Sequence, residues 1–411
     1  VIPFEATTLH NGLRVIAHRD PGTPLVAVEV LYRVGSRDDP PQRTGLAHLF
    51  EHLMFGGSAH ASNFDDALQL AGGENNAFTN ADATNYYNTL PACNLEIALW
   101  LESDRMCCLK LDEATLRIQQ QVVIEEFKET TYGEPYGDAW HHLLALAWKH
   151  HPYRWPTIGQ SPAHIAAISL EDIRAFYDRY YHPANAVLVI AGNVNPHHAL
   201  VQAEKWFGEL PARPMPLRQL PVENPQGPRK AEVHGNVKVE ALFLAWHAPA
   251  RTHPDYHAAE LISDLLDNGP SARLYRRLMR ERKLASHIDC YLSSHIGPSL
   301  FVIEGRPAKG VSLVQLELAI REEIARLCEE LPSMRELTKV QNKAEANLLF
   351  GEIQVLHKAL NLAFFEMLGD AAMIQTEHLK YRQVQRHDIQ RVAQQMCSPE
   401  REIVLYYLPQ Q

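Results

Sequence analysis

The sequence predicts an α+β fold of two duplicated domains, each an antiparallel-rich sheet covered by helices, joined by a proline-rich linker. Three observations point there. The stretch from Glu209 to Lys230 is crowded with prolines, at 211, 214, 216, 221, 225 and 228, and has almost no periodic apolar pattern, so it reads as an exposed linker. It divides the 411 residues into halves of similar length, each long enough for its own core. The halves then run through the same order of elements at a nearly constant offset. The expected boundaries are 1–210 for the first domain, 211–230 for the linker and 231–411 for the second domain.

Each element follows from a local pattern. Val26-Ala27-Val28-Glu29-Val30-Leu31-Tyr32 alternates as a strand does and leads into a helix. In that helix Leu46, Leu49, Phe50, Leu53 and Met54 recur at helical spacing, and Gly56 supplies a stop. A short helix beginning near Asn63 is broken by Gly72-Gly73, and a strand pair spans Asn76–Leu90. Helical stretches follow at 93–108 and 111–129, the second with Asp112 as its N-cap. The second half repeats the order: a strand at Ala241–Trp246, a helix at His257–Leu266, a strand pair at Cys290–Gly305, and helices at 312–330 and 333–350.

The chemistry is concentrated in the first of these helices, where His48-Leu49-Phe50-Glu51-His52 forms an H-x-x-E-H string. At about 100° per residue, His52 lies ~40° from His48 and Glu51 ~60° to its other side, so all three side chains reach one point. Two neutral imidazoles can hold Zn2+, and a carboxylate between them can take a proton from water. The equivalent helix of the second half, Ala258-Ala259-Glu260-Leu261-Ile262-Ser263-Asp264, has no such pair, which confines zinc chemistry to the first half. The adjacent pairs His141-His142, His150-His151 and His197-His198 diverge around a helix and read as exposed or structural.

A catalytic zinc takes three protein ligands, so one is missing. The helix at 111–129 offers the candidates. Ile118 and Val122 are expected on a buried face that Glu125 or Glu126 continues; a solvated acidic face made by Glu125, Glu126 and Glu129 is the other reading.

Taken with Val123-Ile124-Glu125-Glu126 and Gly72-Gly73-Glu74-Asn75-Asn76-Ala77-Phe78-Thr79, the inverted zinc motif resembles the pitrilysin (insulinase-like) metallopeptidases. The likeness covers nearly the whole chain and is nearest to short bacterial members similar to mitochondrial processing peptidase. It implies His48 and His52 as zinc ligands, Glu126 as the third, Glu51 as general base, and one Zn2+ per chain. It implies peptide substrates added as a strand along Asn75, Asn76, Ala77, Phe78 and Thr79, or supported by their side chains.

Two departures accompany the likeness. Gln119 stands two turns before Glu126, where many members carry an auxiliary glutamate; an amide can hydrogen-bond but cannot move a proton. Met279 and Ser286 occupy the places of the family's substrate-gripping Arg and Tyr. The family includes heterodimers in which one subunit holds zinc and the other supplies Arg and Tyr. The expectation is therefore a zinc endopeptidase that forms the metal-bearing half of such a pair, with a homodimer as the variant. The contrasting expectation is a non-catalytic peptide-binding or assembly subunit with a vestigial zinc site.

Composition sets outer bounds. An apolar content of 46% with 21% charged residues describes an ordinary globular protein. The net charge of −10 argues against nucleic acid as a partner. No apolar run is long enough for a membrane span. Val-Ile-Pro-Phe-Glu at the start shows no signal-peptide pattern, and the expected location is soluble and bacterial, either cytoplasmic or periplasmic. The six cysteines, Cys107 and Cys108 adjacent among them, show no C-x-x-C spacing and are expected as free thiols.

Overall fold

The computed structural model describes residues 2–223, 227–293 and 295–410. In chain order the first half runs through strands β1 (Glu5–Thr8), β2 (Arg14–Arg19) and β3 (Leu25–Tyr32), then helices α1 (Leu46–Leu53) and α2 (Phe64–Leu70). The hairpin β4 (Glu74–Thr79) and β5 (Thr84–Pro91) follows, then α3 (Leu95–Cys108), α4 (Glu113–Phe127) and α5 (Ala139–Ala147). The half closes with α6 (Pro162–Ala166), α7 (Leu170–Tyr180), β6 (Ala186–Gly192) and α8 (Pro196–Phe207).

The second half contains β7 (Arg229–Gly235), β8 (Ala241–Ala248), α9 (Tyr256–Leu266), β9 (Ala285–Leu292) and β10 (Ser299–Pro307). It continues with α10 (Leu313–Glu329), α11 (Met334–Gly351) and α12 (Val355–Leu368), and ends with α13 (Glu377–Gln383), α14 (Arg386–Met396) and β11 (Ile403–Pro409). Asp112 caps α4 as expected, its carboxylate accepting the Thr115 N–H at 2.8 Å. Among the described residues no single helix is long and apolar enough to cross a membrane.

The chain forms two compact units. The first takes the chain up to Lys128, Trp155–Leu220 and Leu349–Thr376. Its six-stranded sheet has the order β1-β2-β6-β3-β5-β4, with β2 and β6 parallel and the other pairs antiparallel. Successive residues of a strand point to opposite faces. Val26, Val28, Val30 and Tyr32 of β3 therefore join the core covered by α1, α3 and α4, while Ala27 and Leu31 face the other way. That second face is covered by α12 through Ala359, Leu362, Ala363 and Phe365.

The second unit takes Glu129–Arg154, Pro221–Leu348 and the chain from Glu377 onward. Its sheet has the order β7-β11-β8-β10-β9, again with a single parallel pair, β7 and β11. This repeats β2-β6-β3-β5-β4 strand for strand. The repeat extends to single side chains. The buried Gln120 amide donates to the carbonyls of Ile165 at 2.8 Å and Ile168 at 2.9 Å, and Gln341 makes the same bonds to Tyr381 and Val384, both at 3.0 Å.

The units depart from a contiguous division at 211–230 because each sheet has two apolar faces. α12, from the second half of the chain, completes the first unit, and α5, from the first half, packs on β7, β8 and β11 of the second. Periodicity assigns a helix but not the sheet it covers. Residues 211–223 form neither helix nor strand, and Asn224, Pro225 and Gln226 lie outside the described residues. The expected linker is tied down at points along its length: Arg218 pairs with Asp38 at 2.6 Å, and Glu223 accepts the N–H of His150 at 3.0 Å. The expectation of six free thiols also needs correction. Cys107 and Cys108, side by side at the last turn of α3, form a vicinal disulfide, while Cys93, Cys290, Cys328 and Cys397 are free.

Two of the buried carboxyl groups of the first unit have opposite fates. Glu102 on α3 is fully buried and compensated, accepting from Asn88 and from the Arg105 guanidinium, which also lies over the rings of Phe64 and Tyr86. Glu29, in the middle of β3, is fully buried with no hydrogen-bond partner on either oxygen, and burial raises its pKa well above the usual carboxylate value of 4.5. A raised acid contributes stability that is complete below its unfolded pKa and lost as pH rises toward the folded value. Glu29→Met is therefore expected to stabilise the protein at neutral pH by about 1–3 kcal/mol. Urea titrations across pH should show this gain shrinking as pH falls toward 4.5.

Candidate metal centre

Helix α1 is held at a fixed rotation. Leu46, Ala47, Leu49, Phe50 and Leu53 enter the core, and the Phe50 ring lies 4.2 Å from that of Tyr181 and 5.6 Å from that of Phe176. The helix starts at Gly45, whose φ of +92° suits glycine, and a Cβ there would stand 2.9 Å from the Ile158 carbonyl oxygen. Its first N–H groups are met by a carboxylate from outside the helix. Asp39 accepts from Gly45 at 2.8 Å and from Ala47 at 2.9 Å. With the apolar face buried, His48, Glu51 and His52 are left together at the edge.

Helix α4 supplies the facing carboxylate. Its buried residues are Leu116, Gln120, Val123, Ile124 and Phe127, and the Gln120 bonds to the carbonyls of Ile165 and Ile168 fix its phase. This corrects the expected helix face. Ile118 and Val122 are 62% and 46% exposed, because both lie on the side turned away from this stripe. Glu125 is exposed as well and pairs with Lys128 at 2.7 Å. Glu129 lies beyond α4, in the π-helical turn Lys128–Gly133. Glu126 faces α1 instead, with its two oxygens 3.8 Å from His48 Nε2 and 3.6 Å from His52 Nε2.

One ligand atom from each of His48, His52 and Glu126 lies within 4.8 Å of the other two, and no other His, Cys, Asp or Glu group among the described residues is so placed. Two imidazole nitrogens and one carboxylate are a donor set suited to zinc with an open fourth position. Burial favours the neutral form of both imidazoles, the form a ligand needs. The pKa of His48 falls to about 4 through burial and then the neighbouring His52. That of His52 is lowered by burial, opposed by a hydrogen bond with Gln119. Gln119, two turns before Glu126, is thus in contact with one imidazole of this trio.

Glu51 points beside this trio. Burial raises its pKa, while the Thr79 hydroxyl, donating to Oε2, works in the opposite direction. Thr79 ends β4, the edge strand of the sheet, and so couples that edge to the Glu51 carboxylate. The other residues expected along the strand divide by role. Asn75 donates to Asp65 at 2.7 Å and Asn76 Oδ1 accepts the Ala77 N–H at 2.8 Å, while Phe78 is 39% exposed. Asp39 escaped the sequence reading, because it stands outside the first turn of the helix it caps. Thr79 was among the residues expected at the site, but its bond to Glu51 joins residues with no shared periodicity.

In the second unit the corresponding helix has turned to other uses. His257 Nε2 lies 2.7 Å from Glu377, and Glu260 accepts the Tyr381 hydroxyl at 2.5 Å. Met279 packs against the core, and the Ser286 hydroxyl donates to the Pro307 carbonyl at 3.0 Å.

A duplicated α+β fold whose H-x-x-E-H helix faces a glutamate on a second helix defines an inverted-motif peptidase class. Comparison with known proteins makes the membership specific: the chain belongs to the insulinase family, peptidase family M16. The insulinase (peptidase family M16) model matches residues 14–161, and the model described as the peptidase M16 inactive domain matches residues 167–344. The zinc protease PqqE of Helicobacter pylori is 31% identical over 392 residues, which cover 93% of this chain and 84% of that protein. YmxG of Bacillus subtilis, described as an uncharacterized zinc protease, is 26% identical over 83% of each chain. The crystal structure of a protease from Helicobacter pylori superposes over the whole of both chains with a TM-score of 0.94 at 27% identity.

Because Asp39 caps α1 from a buried position, Asp39→Ala is expected to cost roughly 1–2 kcal/mol of folding stability, and Asp39→Asn less. Denaturant midpoints of the two variants check this directly.

Proposed function

We propose that the chain is a zinc-dependent endopeptidase for unfolded peptides and short polypeptides, with His48, His52 and Glu126 holding one zinc ion. The observation that carries this reading is the convergence of those three ligand atoms beside the Glu51 carboxylate. A bound zinc ion supplies Lewis acidity toward a peptide carbonyl and makes water a proton donor at neutral pH. Glu51, raised in pKa by burial, takes the water proton and returns it to the leaving amine. Thr79 orients that carboxylate through its hydroxyl. The free side of β4 receives the substrate as an added strand, where main-chain bonding tolerates varied side chains.

The same reading makes this chain the metal-bearing partner of a two-subunit enzyme. In the second unit, Met279 is packed and Ser286 is bonded internally, so neither is placed to grip a carbonyl oxygen. A homologous subunit carrying Arg and Tyr would supply that grip. A non-catalytic, peptide-binding role is the second reading, favoured by Gln119 in place of an auxiliary glutamate.

Glu51→Gln is expected to keep one zinc per chain and lose peptide hydrolysis by a factor of about 10²–10⁴. Retained turnover in a chelator-controlled assay would remove Glu51 from the mechanism. Glu126→Ala is expected to lower zinc stoichiometry while Glu125→Ala leaves it intact, which metal analysis of the purified variants resolves. Quenched-peptide cleavage by the chain, alone and mixed with a homologous Arg/Tyr-bearing subunit, tests the division of labour. Full activity of the isolated chain would overturn it, and absence of activity in both with zinc bound would favour the non-catalytic reading.

A further inference from the structure

The Thr79 hydroxyl has a second neighbour besides Glu51. Thr84 opens β5 directly opposite Thr79, and its Oγ1 lies 3.3 Å from Thr79 Oγ1. Thr84 is fully buried, and its own hydroxyl donates to the Val34 carbonyl at 2.9 Å. Glu51, Thr79, Thr84 and Val34 thus contribute one line of oxygens that runs from the carboxylate into the core.

The turn between the two strands fixes this register. The Asn80 N–H donates to the Ala83 carbonyl at 2.9 Å, and Asn80 Oδ1 accepts from the Asp82 and Ala83 N–H groups at 2.8 and 2.9 Å. The Ser36 and Arg37 N–H groups tie the turn to the segment after β3, donating to the Asn80 and Ala81 carbonyls at 3.1 and 3.0 Å. A slip of one residue would turn Thr84 to the other face of the sheet. Packing does not call for a hydroxyl at this position. Valine has nearly the same shape and suits a buried strand, while a buried hydroxyl costs stability unless it is bonded.

Proton counting shows what the hydroxyl can do. Each threonine has one proton to give and two lone pairs to accept with. Thr79 therefore faces two acceptors, Glu51 Oε2 and Thr84 Oγ1, with a single proton. An ionised carboxylate takes it, because charge-assisted bonds are roughly twice as strong as neutral ones. A neutral carboxyl group has no such advantage. In that state Oε2 can donate to Thr79, Thr79 to Thr84, and Thr84 to the Val34 carbonyl, so that every hydroxyl has both a donor and an acceptor.

We propose that Thr84 is a positioning residue for hydrolysis, which acts through Thr79 to hold one oxygen of Glu51 both when it accepts and when it donates. This role rests on Glu51 serving as the base of a zinc endopeptidase. In that reaction an O–H bond of water breaks as one forms on Glu51, and the latter breaks as an N–H bond forms on the leaving amine. With both hydrogen-bond polarities available, the carboxyl group keeps its aim through the two transfers. Without the Thr84 hydroxyl, Thr79 can only donate to Glu51, and the second arrangement is lost.

The test compares Thr84→Val, Thr84→Ser, Thr79→Val and the Thr79→Val/Thr84→Val pair in the full chain. Thr84→Val is expected to keep one zinc per chain and an unchanged KM while kcat falls about 10–100-fold, and Thr84→Ser to recover most of that loss. Melting of the metal-free proteins gives a second readout. The losses in melting temperature of the two single valine variants are expected to sum to more than that of the pair, because the two hydroxyls share one interaction. An unchanged kcat in Thr84→Val would reduce Thr84 to a tie between β5 and Val34 and overturn the proposal. Additive melting losses would overturn the hydroxyl chain itself. Absence of turnover in the zinc-loaded wild type, alone and with a homologous partner subunit, would instead overturn the hydrolase reading and with it the role of Thr84.

Discussion

The rotational setting of α1 is the constraint on which the candidate centre depends. A helix that buries Leu46, Leu49, Phe50 and Leu53 has one azimuth left for its polar residues, and His48, Glu51 and His52 share it. The setting is defined at two levels. Aromatic packing of Phe50 against Phe176 and Tyr181 resists rotation, while Asp39 and Gly45 fix where the first turn begins. A slip of one residue would turn the imidazoles by ~100° and bury them or expose them. Facing it, α4 is phased by Gln120, whose amide bonds three residues of a neighbouring segment at once. The convergence of His48, His52 and Glu126 is thus a by-product of how two helices satisfy their cores and their backbone ends.

The same packing logic explains the duplication. Both sheets carry the same strand order and the same single parallel pair, and both use a buried glutamine to lock a helix to a short neighbouring helix. What diverged is the chemistry at the edge. His257 and Glu260 in the second unit are committed to Glu377 and Tyr381, so polar groups on that helix are consumed by structure. The second unit kept the scaffold, and among its described residues no cluster of three ligand atoms matches that of His48, His52 and Glu126.

Much of the fold was legible because it rests on local periodicity. The strand at 26–32, the α1 stripe, the Asp112 cap and the order of elements in each half all leave marks within a few residues. The phase of α4 was misread because Ile118 and Val122 are apolar and exposed, and periodicity treats any apolar residue as core. The choice among Glu125, Glu126 and Glu129 could not be made from spacing; packing decides which carboxylate faces α1. The placement of α5 and α12 was also hidden. α12 displays the apolar residues of a buried helix, but which sheet it covers depends on long-range topology. The Thr79–Glu51 bond was invisible for the same reason, since it joins two elements through tertiary contact alone.

The position of α12 in the chain has a consequence for biosynthesis. One face of the first sheet, bearing Ala27, Leu31, Val187 and Val189, is covered by α12 and its neighbours in Leu349–Thr376, with Ile2 and Phe4 packed against the same cluster. During translation the strands of that sheet leave the ribosome long before their covering helix does, because synthesis is slow beside local folding. Until then the nascent first unit presents an apolar sheet face to the cytosol or to whatever chaperone receives it. The site-bearing helices can form early, but the unit that holds them closes only after Leu349–Thr376 has been made. A ribosome that stalls within the second half leaves an exposed hydrophobic surface, and quality control can read that surface as an unfinished chain.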